Sequence, residues 1–82
     1  MSRIPNETCR RLIRDTNPRI RVSKDAGSKL AEILDETATV ISILAVIQAD
    51  KDGKKTLTVE HIKAAYKQYL YEDYKQYIPA QA

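Results

Sequence analysis

Seven of the first 24 residues are positively charged, and all six arginines lie within the first 21. Only two acidic residues accompany them there. A planar guanidinium can donate two parallel hydrogen bonds to the oxygens of one phosphate. The cluster therefore indicates phosphate binding, although a solvated charged surface would have the same composition. Its members are Arg3, Arg10, Arg11, Arg14, Arg19, Arg21 and Lys24.

The rest of the charge is also unevenly distributed along the chain. Residues 25–53 carry a net charge of −4, and residues 54–82 carry +2, beginning with Lys54 and Lys55. The overall net charge of +3 thus hides a basic start and a basic end around an acidic middle.

Residues 50–61 begin like an EF-hand calcium loop. Asp50 and Asp52 occupy the first and third ligand positions of that pattern. The fifth position is Lys54, the sixth, which needs glycine, is Lys55, and the twelfth, which needs glutamate, is His61. Two ammonium groups exclude a cation cage here.

Nucleophilic and metal chemistry have few candidate residues. Cys9 is the only cysteine and His61 the only histidine, so neither a disulfide within the chain nor a zinc cluster can form. Cys9 and His61 could form a catalytic dyad, but Cys9 lies on an apolar stripe and fits a small core position better. We therefore expect no enzyme, no cofactor, no metal and no small-molecule substrate, and a reducing compartment.

The composition predicts one all-α domain. The chain has 82 residues, 43% of them hydrophobic and 30% charged, with no Phe or Trp and only two Gly. This composition suits helices better than a β-rich fold. Because no apolar stretch approaches the roughly 20 residues of a membrane span, we expect a soluble, intracellular protein that does not bind membranes.

A short amphipathic helix is predicted between Asn6 and Asn17. Cys9, Leu12 and Ile13 repeat at i, i+3 and i+4, with Asn6 as a plausible N-cap. Asn17 precedes a proline, and residues in that position avoid the α region, so the helix should end there and a loop should follow.

A long helix of about 27 residues, hence roughly 40 Å, should follow, capped by Ser23 and stopped by Gly53. Its second half is apolar on nearly every side, while a compact monomer of this length is only about 30 Å wide. We therefore predict an intertwined dimer, and not a coiled coil, since the stripe keeps no strict heptad. The expected dimer core is Leu30, Ile33, Leu34, Ile41, Leu44, Ala45 and Ile62.

A last helix should begin after Thr58, and the final 17 residues hold every tyrosine of the chain. These are too many for one helical face to bury, which indicates that some lie at an interface or are exposed. We assign residues 1–70 to one domain and residues 71–82 to a C-terminal helical extension, either a continued third helix or a short fourth one. The tyrosines are Tyr66, Tyr69, Tyr71, Tyr74 and Tyr77.

The order short helix, basic loop, long helix, basic loop, helix resembles the histone fold, and specifically tail-less archaeal histones. Residues 21–26, R-V-S-K-D-A, look like that family's R-V-S-x-x-A opening of the central helix. Residues 53–57, G-K-K-T-L, are similar to its G-R-K-T-V loop. The resemblance covers about residues 5–70.

The resemblance implies a dimer whose central helices cross antiparallel, so that the loop before one lies beside the loop after the other. Such a dimer would bind double-stranded DNA through its phosphates with little sequence specificity. The residues it implies as DNA-binding are Arg10, Arg11, Arg14, Arg19, Arg21, Ser23, Lys54, Lys55 and Thr56.

The sequence departs from the family pattern in two places. Family members usually pair an arginine at the position of Lys54 with an aspartate at that of His61, so we expect this buried link to be missing. The tyrosine-rich extension is the second departure, and it either joins dimers into a tetramer or packs back on its own dimer. The candidate dimer–dimer contacts are Lys51, His61, Tyr71, Tyr74 and Tyr77.

The predicted function is that of a homodimeric, histone-like nucleoid protein that bends, wraps or bridges DNA to compact the chromosome in the cytoplasm. The alternative is a histone-fold interaction subunit that heterodimerises within a transcription or repair complex. A purified chain that is folded and dimeric alone would favour the first.

Overall fold

The computed structural model of the protein describes residues 3–71. Over this range the chain forms three helices and no strand: α1 (Asn6–Thr16), α2 (Lys24–Lys51) and α3 (Val59–Leu70). The predicted all-α class and the order short, long, short are confirmed. The first loop (residues 17–23) joins α1 to α2, and the second loop (residues 52–58) joins α2 to α3.

The chain divides into two compact units, Met1–Thr37 and Ala38–Ala82, and α2 contributes a part to each. None of the three helices is both long and apolar enough to cross a membrane. The possible extra helix after residue 71, with Tyr74 and Tyr77, lies outside the described residues.

The start of α1 corrects one prediction by a single residue. Pro5, in extended conformation, is the N-cap, and its carbonyl accepts the first helical hydrogen bond, from the Cys9 N–H (3.4 Å). Asn6 is therefore the first helical residue and not the cap. The predicted end is confirmed, because Asn17 is extended ahead of Pro18.

Both ends of α2 carry the predicted signals. The Ser23 hydroxyl oxygen accepts a hydrogen bond from the Ala26 N–H (3.0 Å) at the N-terminus. At the other end Gly53 adopts a φ of 66°, a left-handed conformation that glycine takes without strain. The Lys54 N–H donates to the Ala49 carbonyl (2.9 Å) and the Gly53 N–H to that of Asp50 (3.0 Å). This pair of bonds is a Schellman motif.

The core of the first unit is small and lies where α1 meets the start of α2. Cys9 and Ala31 are fully buried there, so Cys9 is a core residue as predicted. Gly27 is also buried, and a Cβ added to it would collide with the Arg10 side chain and come within 3.2 Å of the Asn6 carbonyl oxygen. Glycine therefore permits this close approach of the two helices.

The core of the second unit lies between α2 and α3. Val40, Leu44, Ala45 and Ala65 form a buried cluster, and Ile41 and Tyr69 pack against it. The second half of α2 is thus covered in part by its own chain.

Candidate nucleic-acid interface

The arginines of α1 divide into two groups by their partners. Glu7 binds two of them, since its carboxylate lies 2.6 Å from an Arg14 guanidinium nitrogen and 3.1 Å from one of Arg10. The spacing i, i+3, i+7 places these three residues on one face of the helix. Part of their positive charge is therefore balanced within α1.

Arg10 also bonds outside its own helix. Its second terminal nitrogen donates to the Val22 carbonyl (3.3 Å) in the first loop, and its methylene stem lies over Gly27. Arg10 thus ties α1 to the loop before α2. The sequence analysis assigned Arg10 to phosphate binding and did not predict this connection between α1 and the first loop.

Arg11, Arg19 and Arg21 are exposed, and their guanidinium groups make no ion pair or hydrogen bond within residues 3–71. In the first loop, the Asn17 side-chain oxygen accepts the Arg19 N–H (3.1 Å), and the Asn17 carbonyl accepts the Ile20 N–H (3.1 Å). A turn built in this way holds the backbone and leaves the arginine side chains available to an anion.

The second loop presents its cations in the same way. Lys54, Lys55 and Thr56 are all exposed, and their side chains bond to no other described residue. The Schellman motif at Gly53 turns the chain at the start of the loop and so leads directly into these residues. Ser23, at the end of the first loop, is exposed as well, although its hydroxyl oxygen already caps α2.

His61 is bonded within its own chain. Its side chain is only 8% exposed, its Nε2 lies 3.0 Å from an Asp52 carboxylate oxygen, and its Nδ1 accepts the Thr58 N–H (3.0 Å). Lys54 and His61 form no pair among the described residues, as we expected, but Asp52 and His61 supply a different link between the second loop and α3. A histidine three residues after a threonine N-cap hints at a link in the sequence, but only the path of the loop brings Asp52 to it.

The candidate dimer–dimer residues are placed unequally. His61 is engaged within its own chain, whereas Tyr71 is exposed just beyond α3 and Lys51 is exposed as the last residue of α2. Tyr74 and Tyr77 lie outside the described residues.

The candidate dimer-core residues separate into three sets by burial. Leu44 and Ala45 are fully buried within the chain, and Leu30, Leu34 and Ile41 are half-buried. Ile33 and Ile62 keep 49% and 42% of their surface exposed. Ile43 and Val46, on the apolar second half of α2, are exposed as well.

Acidic side chains in the described part of the chain form no metal site. Groups of three or more His, Cys, Asp or Glu with suitable placement do not occur within residues 3–71. Asp52, the third residue of the calcium-like pattern, accepts a hydrogen bond from His61, and Asp35 binds the backbone N–H of Arg3 (2.7 Å).

The described helices are thus ordered short, long and short, and both loops beside the long helix carry exposed cations without partners among residues 3–71. The comparison with known families agrees with this geometry. A family described as histone-like transcription factor (CBF/NF-Y) and archaeal histone matches residues 2–66, well over half of the chain. The protein therefore belongs to this family of DNA-binding, histone-fold proteins.

Proposed function

We propose that the protein is a homodimeric, histone-like nucleoid protein that binds double-stranded DNA through its phosphates with little sequence specificity and bends, wraps or bridges it. The observation that carries this proposal is the set of exposed cations without partners among residues 3–71, on α1 and on both loops. They are Arg11, Arg19, Arg21, Lys54 and Lys55.

Dimerisation gives these cations a common surface. The two loops lie at opposite ends of α2, whose 28 residues span about 40 Å at 1.5 Å per residue. An antiparallel crossing of two such helices would place the first loop of one subunit beside the second loop of its partner. The half-exposed Ile33 and Ile62, together with Val46, support such a crossing because they offer apolar surface for a partner to bury.

The experiment that tests this function is a salt titration of DNA affinity. On two duplexes of equal length and unrelated sequence, we expect similar dissociation constants and a steep fall in affinity with salt. Arg11→Ala and Lys55→Ala should weaken binding to both duplexes equally and make the salt dependence less steep, by about one counterion per lost phosphate contact.

Lys63→Ala is the matched control, because Lys63 is an exposed lysine that pairs with Glu60 on α3. It removes the same charge from outside the loops and should leave the salt dependence close to that of the wild type. A strong preference for one duplex would contradict the proposal. A chain that folds only with a different partner would favour the heterodimeric transcription or repair subunit instead.

We further propose that the tyrosine-rich end joins dimers, with Tyr71 exposed next to α3 as its described part. Truncation after Leu70 should then reduce the mass measured by sedimentation from that of a tetramer to that of a dimer. An unchanged mass would contradict this contact.

A further inference from the structure

The second loop is fastened at both of its ends. The Schellman motif fixes its start on α2, with the Lys54 N–H bound to the Ala49 carbonyl. At its end, the Thr58 N–H donates to His61 Nδ1 (3.0 Å), and the Thr58 carbonyl accepts the His61 N–H (3.1 Å). Between these points, residues 54–57 are exposed.

One imidazole connects the two ends. Because Nδ1 accepts a hydrogen bond from a backbone N–H, the proton of the neutral ring resides on Nε2. Nε2 therefore donates to the Asp52 carboxylate, 3.0 Å away. His61 is 6% exposed, so this contact joins a buried side chain of α3 to Asp52 at the start of the second loop.

We propose that the Asp52–His61 hydrogen bond is a positioning contact, which holds the second loop in its DNA-binding conformation before DNA arrives. This inference rests on the proposed function. Residues 54–57 make no side-chain hydrogen bond within the described part of the chain, so the loop depends on the bonds at its two ends and on the contact that joins them. A loop ordered in advance loses less conformational entropy on binding phosphate.

The proposal predicts a change in DNA affinity opposite to the one expected from the loss of a negative charge alone. Removing an acidic side chain near a phosphate-binding loop reduces repulsion and should strengthen DNA binding. If Asp52 positions the loop, Asp52→Ala should instead weaken binding, by about 3- to 10-fold, the range for one lost hydrogen bond. The salt dependence should keep the steepness of the wild type, because no phosphate contact is removed.

Asp50→Ala is the matched control. Asp50 lies two residues earlier, is exposed, and has no side-chain partner within residues 3–71. It carries the same charge, so its removal should leave affinity equal to that of the wild type or slightly tighter. If Asp52→Ala binds DNA as tightly as Asp50→Ala, the positioning contact is refuted.

A conservative variant separates position from charge and covers a failure of Asp52→Ala to fold. The amide oxygen of Asp52→Asn can accept the same hydrogen bond from Nε2, so this variant should bind DNA at least as tightly as the wild type. Weakening of Asp52→Asn equal to that of Asp52→Ala would refute the contact.

The tautomer of His61 can also be measured directly. Long-range ¹H–¹⁵N NMR of the wild-type imidazole should show the neutral ring protonated at Nε2 and not at Nδ1, and a predominance of the other tautomer would refute the contact.

If Lys55→Ala flattens the salt dependence while Asp52→Ala does not weaken binding, the positioning inference alone fails. If the wild type shows no salt-dependent binding, the proposed function fails.

Discussion

At the residue scale, neighbouring arginines of one helix have different roles. Arg10 bonds to Glu7 and to the Val22 carbonyl, Arg14 bonds to Glu7, and Arg11 faces outward without a partner among residues 3–71. The sequence shows that the arginines cluster. It does not show which of the three arginines of α1 pair with Glu7, because each lies at a spacing that allows the pair. Only the structure shows which of them pair with Glu7 and that Arg10 also bonds to the first loop.

Arg10→Ala should therefore lower stability. It removes a partly buried hydrogen bond and the methylene stem that covers Gly27, which together are worth about 1–2 kcal/mol. We expect urea denaturation to show that loss in the free energy of unfolding, with little change in the steepness of the salt dependence of DNA binding.

Arg11→Ala is the comparison for this experiment, because it should leave the free energy of unfolding within about 0.5 kcal/mol of the wild type while flattening the salt dependence. Equal loss of stability in the two variants would contradict the assignment of Arg10 to the structure.

The histidine shows what sequence reasoning could not provide. The departure of Lys54 and His61 from the family pattern was visible in the sequence, and a missing link was the natural interpretation. The replacement partner, Asp52, lies nine residues before His61. It became evident only once the Schellman motif and the cap of α3 had fixed the path of the second loop.

At the element scale, local signals were reliable where they depend on backbone conformation. Ser23, Gly53 and Thr58 mark helix boundaries in the sequence and in the structure alike. Asn6 did not, because the carbonyl of Pro5 accepts the first hydrogen bond of α1 and so moves the cap back by one residue. The order of the helices could thus be predicted, but the packing of α1 on α2 could not.

Gly27→Ala tests that packing. Alanine favours an isolated helix by about 1 kcal/mol over glycine, yet its Cβ would collide here with the Arg10 side chain. We expect the collision to dominate, with a net destabilisation of about 1–2 kcal/mol measured by urea denaturation.

The same substitution in an Arg10→Ala background should cost less, because the shortened side chain leaves room for the added methyl group. A double-mutant cycle measures this difference. If Gly27→Ala costs the same in both backgrounds, the Arg10 side chain does not limit the approach of the two helices.

At the scale of the whole molecule, the central claim is that each DNA-binding surface is composite. The first loop of one subunit and the second loop of its partner would together form one surface, and a homodimer would carry two. This arrangement depends on the length of α2 and on the antiparallel crossing that we propose for this protein.

Mixing two defective variants tests this claim. One variant carries Arg19→Ala and Arg21→Ala in the first loop, and the other carries Lys54→Ala and Lys55→Ala in the second. Each homodimer would have two half-damaged surfaces. A mixed dimer would have one surface with both loops damaged and one with both loops intact.

The decisive measurement is the DNA affinity of the two variants after they are unfolded and refolded together in equal amounts. With random pairing, about half of the dimers should be mixed, and this fraction should bind DNA through one intact surface more tightly than either homodimer does. An affinity of the mixture no better than that of its separate components would contradict a composite surface and the dimer built around it.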